Sequence, residues 1–514
     1  VTVHLGGKMN PNAKIPKGMS FEDNSYTRLL KENLNIQVVY DWTASTSDYD
    51  EKMSLCIGSN TIPEIMNVNA TQYRALLKYD MIQPLDKYFD DYASDALKSY
   101  VKSGGEELQK CITNEDGELM AIPAPNLTAG GVNEMWIRQD WLDALGLDVP
   151  RTWDELAEVA KAFVTRDPDG NGENDTIGIL GPGNSDHMNA VGGNQFGLDP
   201  LFSCFQSYPQ YWLKSEDGSV EYGSIQPETK TALENISKLY ADGVIDPETL
   251  VRSDSKEPLL AGKVGIFFGP WWCAYTFADT TLSGSADWRA YFTPLSEDGK
   301  YYTHMAEPTT QYVVASKDCK NPEAAFKIIN YLVANEQKWV EEGVTSTEMG
   351  TGDFYPLYNT YDNADEIEKS YEALTKYLAG DISMDDVDFS THKLLKNDME
   401  AVTKLKKKPY DDFSLKYWNL DSDLAKTNLP RLVAIMVGDA PLVNEEYVPV
   451  YNAYNGQTET MEAKWANLKK MEEETFAKII MGKADISEFD TFVKNWKNQG
   501  GDQILKEIND ELSK

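Results

Sequence analysis

The alternation of strand-like and helix-like runs near the amino terminus constrains the fold more than any other feature. Val1–Leu5 reads as a strand, Ser25–Asn33 as a helix, and Ile36–Tyr40 as a second, β-branched strand. Tyr49–Cys56 has helical spacing, Pro63–Val68 reads as a third strand, and Tyr73–Leu77 starts another helix. A β-α-β-α-β rhythm implies parallel strands joined by crossover helices, so the class is α/β with a helix-covered sheet. In such sheets ligands bind beyond the carboxyl ends of the strands. That rule points to Trp42, expected just after the second strand, and to Asn67 and Asn69 after the third.

The pattern continues further along. A turn at Asn114–Gly117 leads into Leu119–Pro123, and Glu134–Ile137 reads as a strand followed by the helix Trp141–Leu145 with Gly146 at its C-cap. Thr152 and Glu155 form a capping-box pattern opening the helix Trp153–Phe163. Thr229–Tyr240 is helical and stops near Gly243. Val264–Phe268, Ala290–Pro294 and Gln311–Ala315 read as strands, and Pro322–Val333 as a helix. Residues 343–415 are polar and hard to pattern, and Lys404–Lys408 is an isolated basic patch. From Met461 the chain is a set of amphipathic helices, including Trp465–Phe476 and Phe489–Trp496. With 514 residues and no low-complexity linker, a second domain is expected to be interleaved with the first.

Charge and cysteine usage exclude several classes. Acidic side chains outnumber basic ones, 83 to 48, for a net charge of −35. Nucleic-acid binding and adhesion to an anionic membrane need the opposite balance. No stretch approaches the ~20 apolar residues of a membrane span. The first residues lack the basic and apolar regions of a signal peptide, which leaves a cytoplasmic protein or one whose export signal is not part of this sequence. Cys56, Cys111, Cys204, Cys273 and Cys319 show no CxxC spacing and read mostly as buried small hydrophobes.

The sharpest local motif runs from Asp167 to Asp175. Oxygen-bearing side chains fall at loop positions one, three, five and nine (Asp167, Asp169, Asn171, Asp175), Gly172 sits at the sharp turn, and Glu173 would offer its carbonyl. Hard oxygen donors at these spacings suit Ca²⁺ in a structural role. Position twelve is Gly178, so the bidentate ligand is missing, and the alternative is a metal-free turn rich in Asp, Asn and Gly.

Twelve Trp and 28 Tyr supply apolar ring faces of the kind that stack on sugar rings. Trp271 and Trp272 follow the strand Val264–Phe268 after Gly269-Pro270, which displays indoles at its rim, although one of the two is equally consistent with the core. Trp42 and Trp418 are further candidates, each also consistent with structural Trp, and His187 and Glu307 have groups that hydrogen-bond hydroxyls. Catalysis has no specific support. The four histidines (His4, His187, His304, His392) lack metal spacing, and there is no nucleophile elbow or Walker-type loop.

Several segments, in order, resemble the extracellular solute-binding proteins of bacterial ABC importers, in the carbohydrate-binding group that includes maltose-binding protein. They are Pro63–Met66 with Ile82–Asp86, Glu118–Pro123, Trp136–Asp140 with Gly146-Leu147 and Pro150–Glu155, Ala261–Ile266 through Trp272, and Asn321–Ala325. The tail, with Gln457–Met461, Ile479–Gly482, Phe489-Asp490, Phe492-Val493, Trp496 and Gly500-Gly501, is similar to the large Gram-positive lipoprotein subgroup. The resemblance implies a type II periplasmic-binding-protein-like fold of two interleaved lobes with a hinge and a ligand cleft. On this reading 1–124 and 291–342 form lobe I, 125–290 and 343–470 lobe II, and 471–514 are C-terminal helices packing on the lobes. It implies a monomeric, non-enzymatic protein that closes on a sugar or oligosaccharide and delivers it to an ABC permease. Trp271 and Trp272 would stack on the ligand from the second lobe, with Trp42 and Asn69 meeting it from the first. It also implies an extracellular protein held by a lipid anchor on the outer face of the membrane. A peptide-binding importer component and a secreted polysaccharide-active enzyme remain as alternatives.

Overall fold

Alternate burial along Thr2–Met9, with Val3, Leu5 and Gly7 inside and Thr2 and Lys8 outside, is the signature of a strand with one face on a core. The computed structural model describes residues 1–183, 195–283, 286–342, 350–389, 392, 394–405 and 423–513. In chain order the strands among them are β1 (Thr2–Met9), β2 (Gln37–Ser45), β3 (Ile65–Val68), β4 (Ile122–Pro125), β5 (Glu134–Arg138), β6 (Ile177–Ile179), β7 (Trp212–Lys214), β8 (Val220–Tyr222), β9 (Val264–Gly269), β10 (Trp288–Tyr291), β11 (Tyr301–His304), β12 (Thr309–Ala315) and β13 (Tyr447–Val450).

The chain forms two compact units. The first comprises Val1–Leu127, Pro308–Glu366 and Asp388–Lys393, and the second Thr128–Glu307, Ile367–Val387 and Leu394–Lys514. The first unit holds a five-stranded sheet in the order β2-β1-β3-β12-β4. β1 pairs in parallel with β2 and β3, and the late strand β12 runs antiparallel to β3 and β4. The helices Ser25–Leu34 and Tyr49–Gly58 are the crossovers between its first three strands. Asn24 caps the first of them by accepting the N–H groups of Tyr26 and Thr27. The core beneath the sheet is built from Val3, Leu5, Tyr26, Ile65, Met66, Leu76, Val313, Phe326 and Ile329.

One placement differs from the sequence reading. Trp42 lies inside β2 and not beyond it. A bulge between Leu5 and Gly6 lets the parallel pairing run on to Met9 opposite Ser45, so both strands outlast their apolar stretches.

The second unit holds a four-stranded sheet in the order β10-β5-β9-β6 and two short ribbons, β7-β8 and β11-β13. The capping box at Thr152 is present: Thr152 Oγ1 accepts the Glu155 N–H (3.3 Å) and Glu155 Oε2 accepts the Thr152 N–H (3.0 Å). Gly146 takes φ +64° at the expected C-cap. Long helices from the tail, Glu459–Ile480, Glu488–Trp496 and Asp502–Leu512, complete the core, where Trp496 stacks on Tyr222 with ring centroids 4.8 Å apart. No helix among the described residues is long and apolar enough to cross a membrane.

Candidate functional site

The three parallel strands of the first unit end side by side, and a recess of about 420 Å³ opens at their carboxyl ends. Lys8 and Asn10 come from the end of β1, Tyr40 and Thr46 from β2 and the turn beyond it, and Asn67, Val68 and Asn69 from β3 and the residue that follows. The far wall is Gln311 of β12 with Asp353, Tyr355 and Tyr358. This is where a parallel sheet leaves a crevice, because crossover helices depart in different directions from neighbouring strand ends.

Aromatic faces and planar polar groups alternate around the recess. Phe21 and Tyr40 lie with ring centroids 4.8 Å apart. The Tyr49 hydroxyl donates to the Asn67 carbonyl at 3.1 Å, and burial holds the phenol protonated far above its ordinary range. Lys8 Nζ stands 5.6 Å from the centroid of the Tyr49 ring. The Asn67 amide is occupied, donating to Asn359 Oδ1 (3.0 Å) and Gln311 Oε1 (3.3 Å). Asn69 caps the next helix by accepting the Gln72 N–H at 3.0 Å. That leaves its Nδ2 without a protein partner among the described residues, as are Gln311 Nε2 and the Asp50 carboxylate. These free groups match the needs of ligand hydroxyls: donors and acceptors on flat side chains beside aromatic walls.

Trp42 is absent from the lining. Its ring lies across the Gly6 backbone, where a Cβ would come within 2.5 Å of it, and 5.3 Å from Tyr49. Trp42 therefore backs the wall that Tyr49 presents. In the second unit Trp271 is buried, whereas Trp272 is half-buried and makes no ring contact among the described residues. Gly438 explains the first placement: it packs so close to the Trp271 backbone that a Cβ there would sit 2.6 Å from the carbonyl oxygen. Glu307 is half-buried, has a protein partner and does not line the recess. His187 and Trp418 lie outside the described residues.

The recess also draws on Lys8, Asn10, Asp50, Asp353 and Tyr355, which were not singled out from the sequence. The strand-end rule that pointed to Asn67 would have reached Lys8 and Asn10 had the first strand been read past Leu5 to Met9. Asp353 and Tyr355 come from the weakly patterned polar stretch and carried no signal.

The Asp167–Asp175 loop curls through positive φ at Asp167, Gly170 and Gly172. Asp167 accepts the N–H groups of Asn171 and Gly172, both at 3.0 Å, and the Asn171 amide donates to Asp169 Oδ2 at 2.9 Å. Burial and the adjoining Asp167 carboxylate push the Asp169 carboxyl up. The Lys263 ammonium, 2.9 Å from Asp175, holds that carboxyl down. The donor set is all oxygen and fits a hard cation in its chemistry. In this arrangement, however, no three acidic, His or Cys groups among the described residues converge on one point. Gly178 at position twelve is walled in by the carbonyl oxygens of Ala160 and Val244, each 2.7 Å from where a Cβ would stand.

In sequence and overall fold the chain is similar to known proteins. The family model described as bacterial extracellular solute-binding protein matches residues 14–339. The fructooligosaccharide ABC transporter substrate-binding protein FusA of Streptococcus pneumoniae is 30% identical over 259 residues, 47% of this chain and 45% of that protein. Lipoprotein LipO of Bacillus subtilis is 28% identical over 251 residues, 46% of this chain and 45% of that one. The chain thus spans about half the length of these two relatives. The polygalacturonan/rhamnogalacturonan-binding protein YtcQ of Bacillus subtilis is 23% identical across 98% of this chain and 92% of its own length. Among solved structures, an HMO-binding ABC-transporter-associated solute-binding protein from Bifidobacterium longum infantis aligns with TM-score 0.57 and 18% identity, over 98% of this chain and 97% of that one. The alginate-binding protein AlgQ2, solved without calcium ion, aligns with TM-score 0.53 and 16% identity over 100% and 98%. At these identities the likeness is one of fold.

Proposed function

Because the chain belongs to the family of bacterial extracellular solute-binding proteins, we propose that it is the capture component of an ABC importer and that its cargo is a sugar or oligosaccharide. The fold is the type II periplasmic-binding-protein-like one. The observation that carries the reading is the recess of the first unit. It lies at the carboxyl ends of β1, β2 and β3, pairs aromatic walls with planar polar groups, and leaves Asn69 Nδ2, Gln311 Nε2 and the Asp50 carboxylate without protein partners among the described residues. Sugar rings offer apolar C–H faces and a fringe of hydroxyls, and this lining answers both. In the second unit the half-buried Trp272 is the better candidate for stacking, since Trp271 is taken up by packing.

The protein works by binding and release. The family is described as solute-binding, and the recess groups are of the kinds that orient a ligand through hydroxyl hydrogen bonds and ring contacts. The cargo then passes to membrane-spanning permease subunits. Outer-face localisation with a lipid anchor fits the family description and the lipoprotein relative. Calcium is the proposed occupant of the Asp167–Asp175 loop. It would be held by Asp167, Asp169, Asn171 and Asp175 with the Glu173 carbonyl, and would tie the end of the helix Trp153–Thr165 to β6.

Calorimetry of the intact protein against a panel of neutral and acidic oligosaccharides and peptides, with chromatography of the recovered ligand, tests the function. Binding of a glycan returned unchanged is the expected outcome. Tight peptide binding with no glycan bound, or a hydrolysed glycan, would overturn it.

A further inference from the structure

The charge on the recess wall narrows the cargo. Among the described residues its ionic side chains are Lys8, Asp50 and Asp353, one ammonium against two carboxylates. Asp353 Oδ1 accepts from Asn10 Nδ2 at 2.9 Å, and the Lys8 ammonium is already drawn toward the Tyr49 ring. No arginine is among the described lining residues. The first unit has Arg28 and Arg74, of which Arg28 is paired with Asp23 at 2.6 Å and neither reaches the recess.

A uronic acid brings its own carboxylate into such a space. It would lie beside two like charges, with no guanidinium fork to grip it and one ammonium to share. A neutral ring meets no such conflict, because Asp50 and Asp353 serve as acceptors for hydroxyls while Asn69 Nδ2 and Gln311 Nε2 donate to them. The whole chain works in the same direction, since a net charge of −35 slows the approach of any polyanion. We infer that the recess selects neutral sugar rings and excludes uronic acids, which sets this chain apart from relatives named for polygalacturonan and alginate. This rests on the carbohydrate reading above.

The test is calorimetry at low ionic strength with two ladders of matched length. One holds neutral fructan, glucan and galactan oligosaccharides, and the other oligogalacturonates. At least one neutral member is expected to bind, with every oligogalacturonate weaker by about tenfold or more. The double substitution Asp50→Asn with Asp353→Asn should narrow that gap several-fold. If oligogalacturonates bind as well as the best neutral ligand, the inference fails while the carbohydrate reading stands. Failure of both ladders overturns the carbohydrate reading, and the inference with it. A gap that the double variant leaves unchanged removes the two carboxylates as its cause.

Discussion

Single side chains in this protein show how strongly burial acts on charge. The Glu472 carboxyl is buried in the second unit, where Tyr222 and Ser224 hydroxyls each donate to it at 2.8 Å. Burial pushes it up to about 7 from an ordinary 4.5, against the downward pull of those two donors. Between these values the folded state keeps a proton that the unfolded chain has released. Stability from this group is therefore complete below pH 4.5 and declines as pH rises toward 7, by on the order of 3 kcal/mol in all. Glu472→Gln is neutral at every pH. It should match the parent in urea unfolding at about pH 4.5 and exceed it by on the order of 3 kcal/mol at about pH 8. Equal differences at the two pH values would refute the assignment. Glu134 and Asp439, also buried carboxyls pushed upward, are common to both proteins and cancel in the comparison. The same scale explains what was legible in the candidate site. Asn67 and Asn69 were expected at a strand end because strand ends follow from chain pattern, and both line the recess there. Trp42 was expected beyond the second strand by the same rule, but it lies within β2 against Gly6, where a bulge that leaves no trace in composition sets the pairing.

Elements were readable wherever a local rule sufficed. The capping box at Thr152, the C-cap at Gly146, the end of a helix near Gly243 and the crossover rhythm of the first three strands all depend on neighbours within a few residues, and the structure has each of them. β12 was read as a strand, but its antiparallel place between β3 and β4 joins residues far apart in the chain, Ala315 with Ile65 and Thr309 with Pro125, which no periodicity encodes. The calcium-like loop stands between these cases, since its sequence set the donors but not where they point. Asp175 is now tied to Lys263, and Asp167 to backbone N–H groups. Calcium binding must redirect those oxygens, so it should compete with the lysine. Added Ca²⁺ at about a hundred times its Kd is expected to stabilise the protein by about 2.7 kcal/mol. Asp169→Asn should lose most of that gain, and Lys263→Met should bind calcium more tightly because Asp175 is released. A melting temperature indifferent to both calcium and chelator would leave the loop as a metal-free turn.

At the scale of the whole molecule, each unit is assembled from separated stretches of chain, so neither is an independent segment. The second unit takes Thr128–Glu307, Ile367–Val387 and Leu394–Lys514. Its core combines Phe202, Tyr222, Leu233 and Ile266 from the first of these with Phe476, Phe489, Phe492, Trp496, Ile504 and Ile508 from the last. Burying a large apolar side chain is worth about 1.5–3 kcal/mol. The six tail residues thus contribute on the order of 10 kcal/mol, and extended-chain bookkeeping makes that an upper value. Domain stability is itself only about 5–15 kcal/mol, so their loss is comparable to the whole margin. The segment Thr128–Glu307 produced alone should consequently fail to fold. It should bind a hydrophobic dye and unfold without a cooperative transition. Fusing residues 367–514 behind it should restore a sharp urea transition, because the missing half of the core returns with them. A cooperative transition in the short segment alone would mean that the tail covers a finished core instead of completing it.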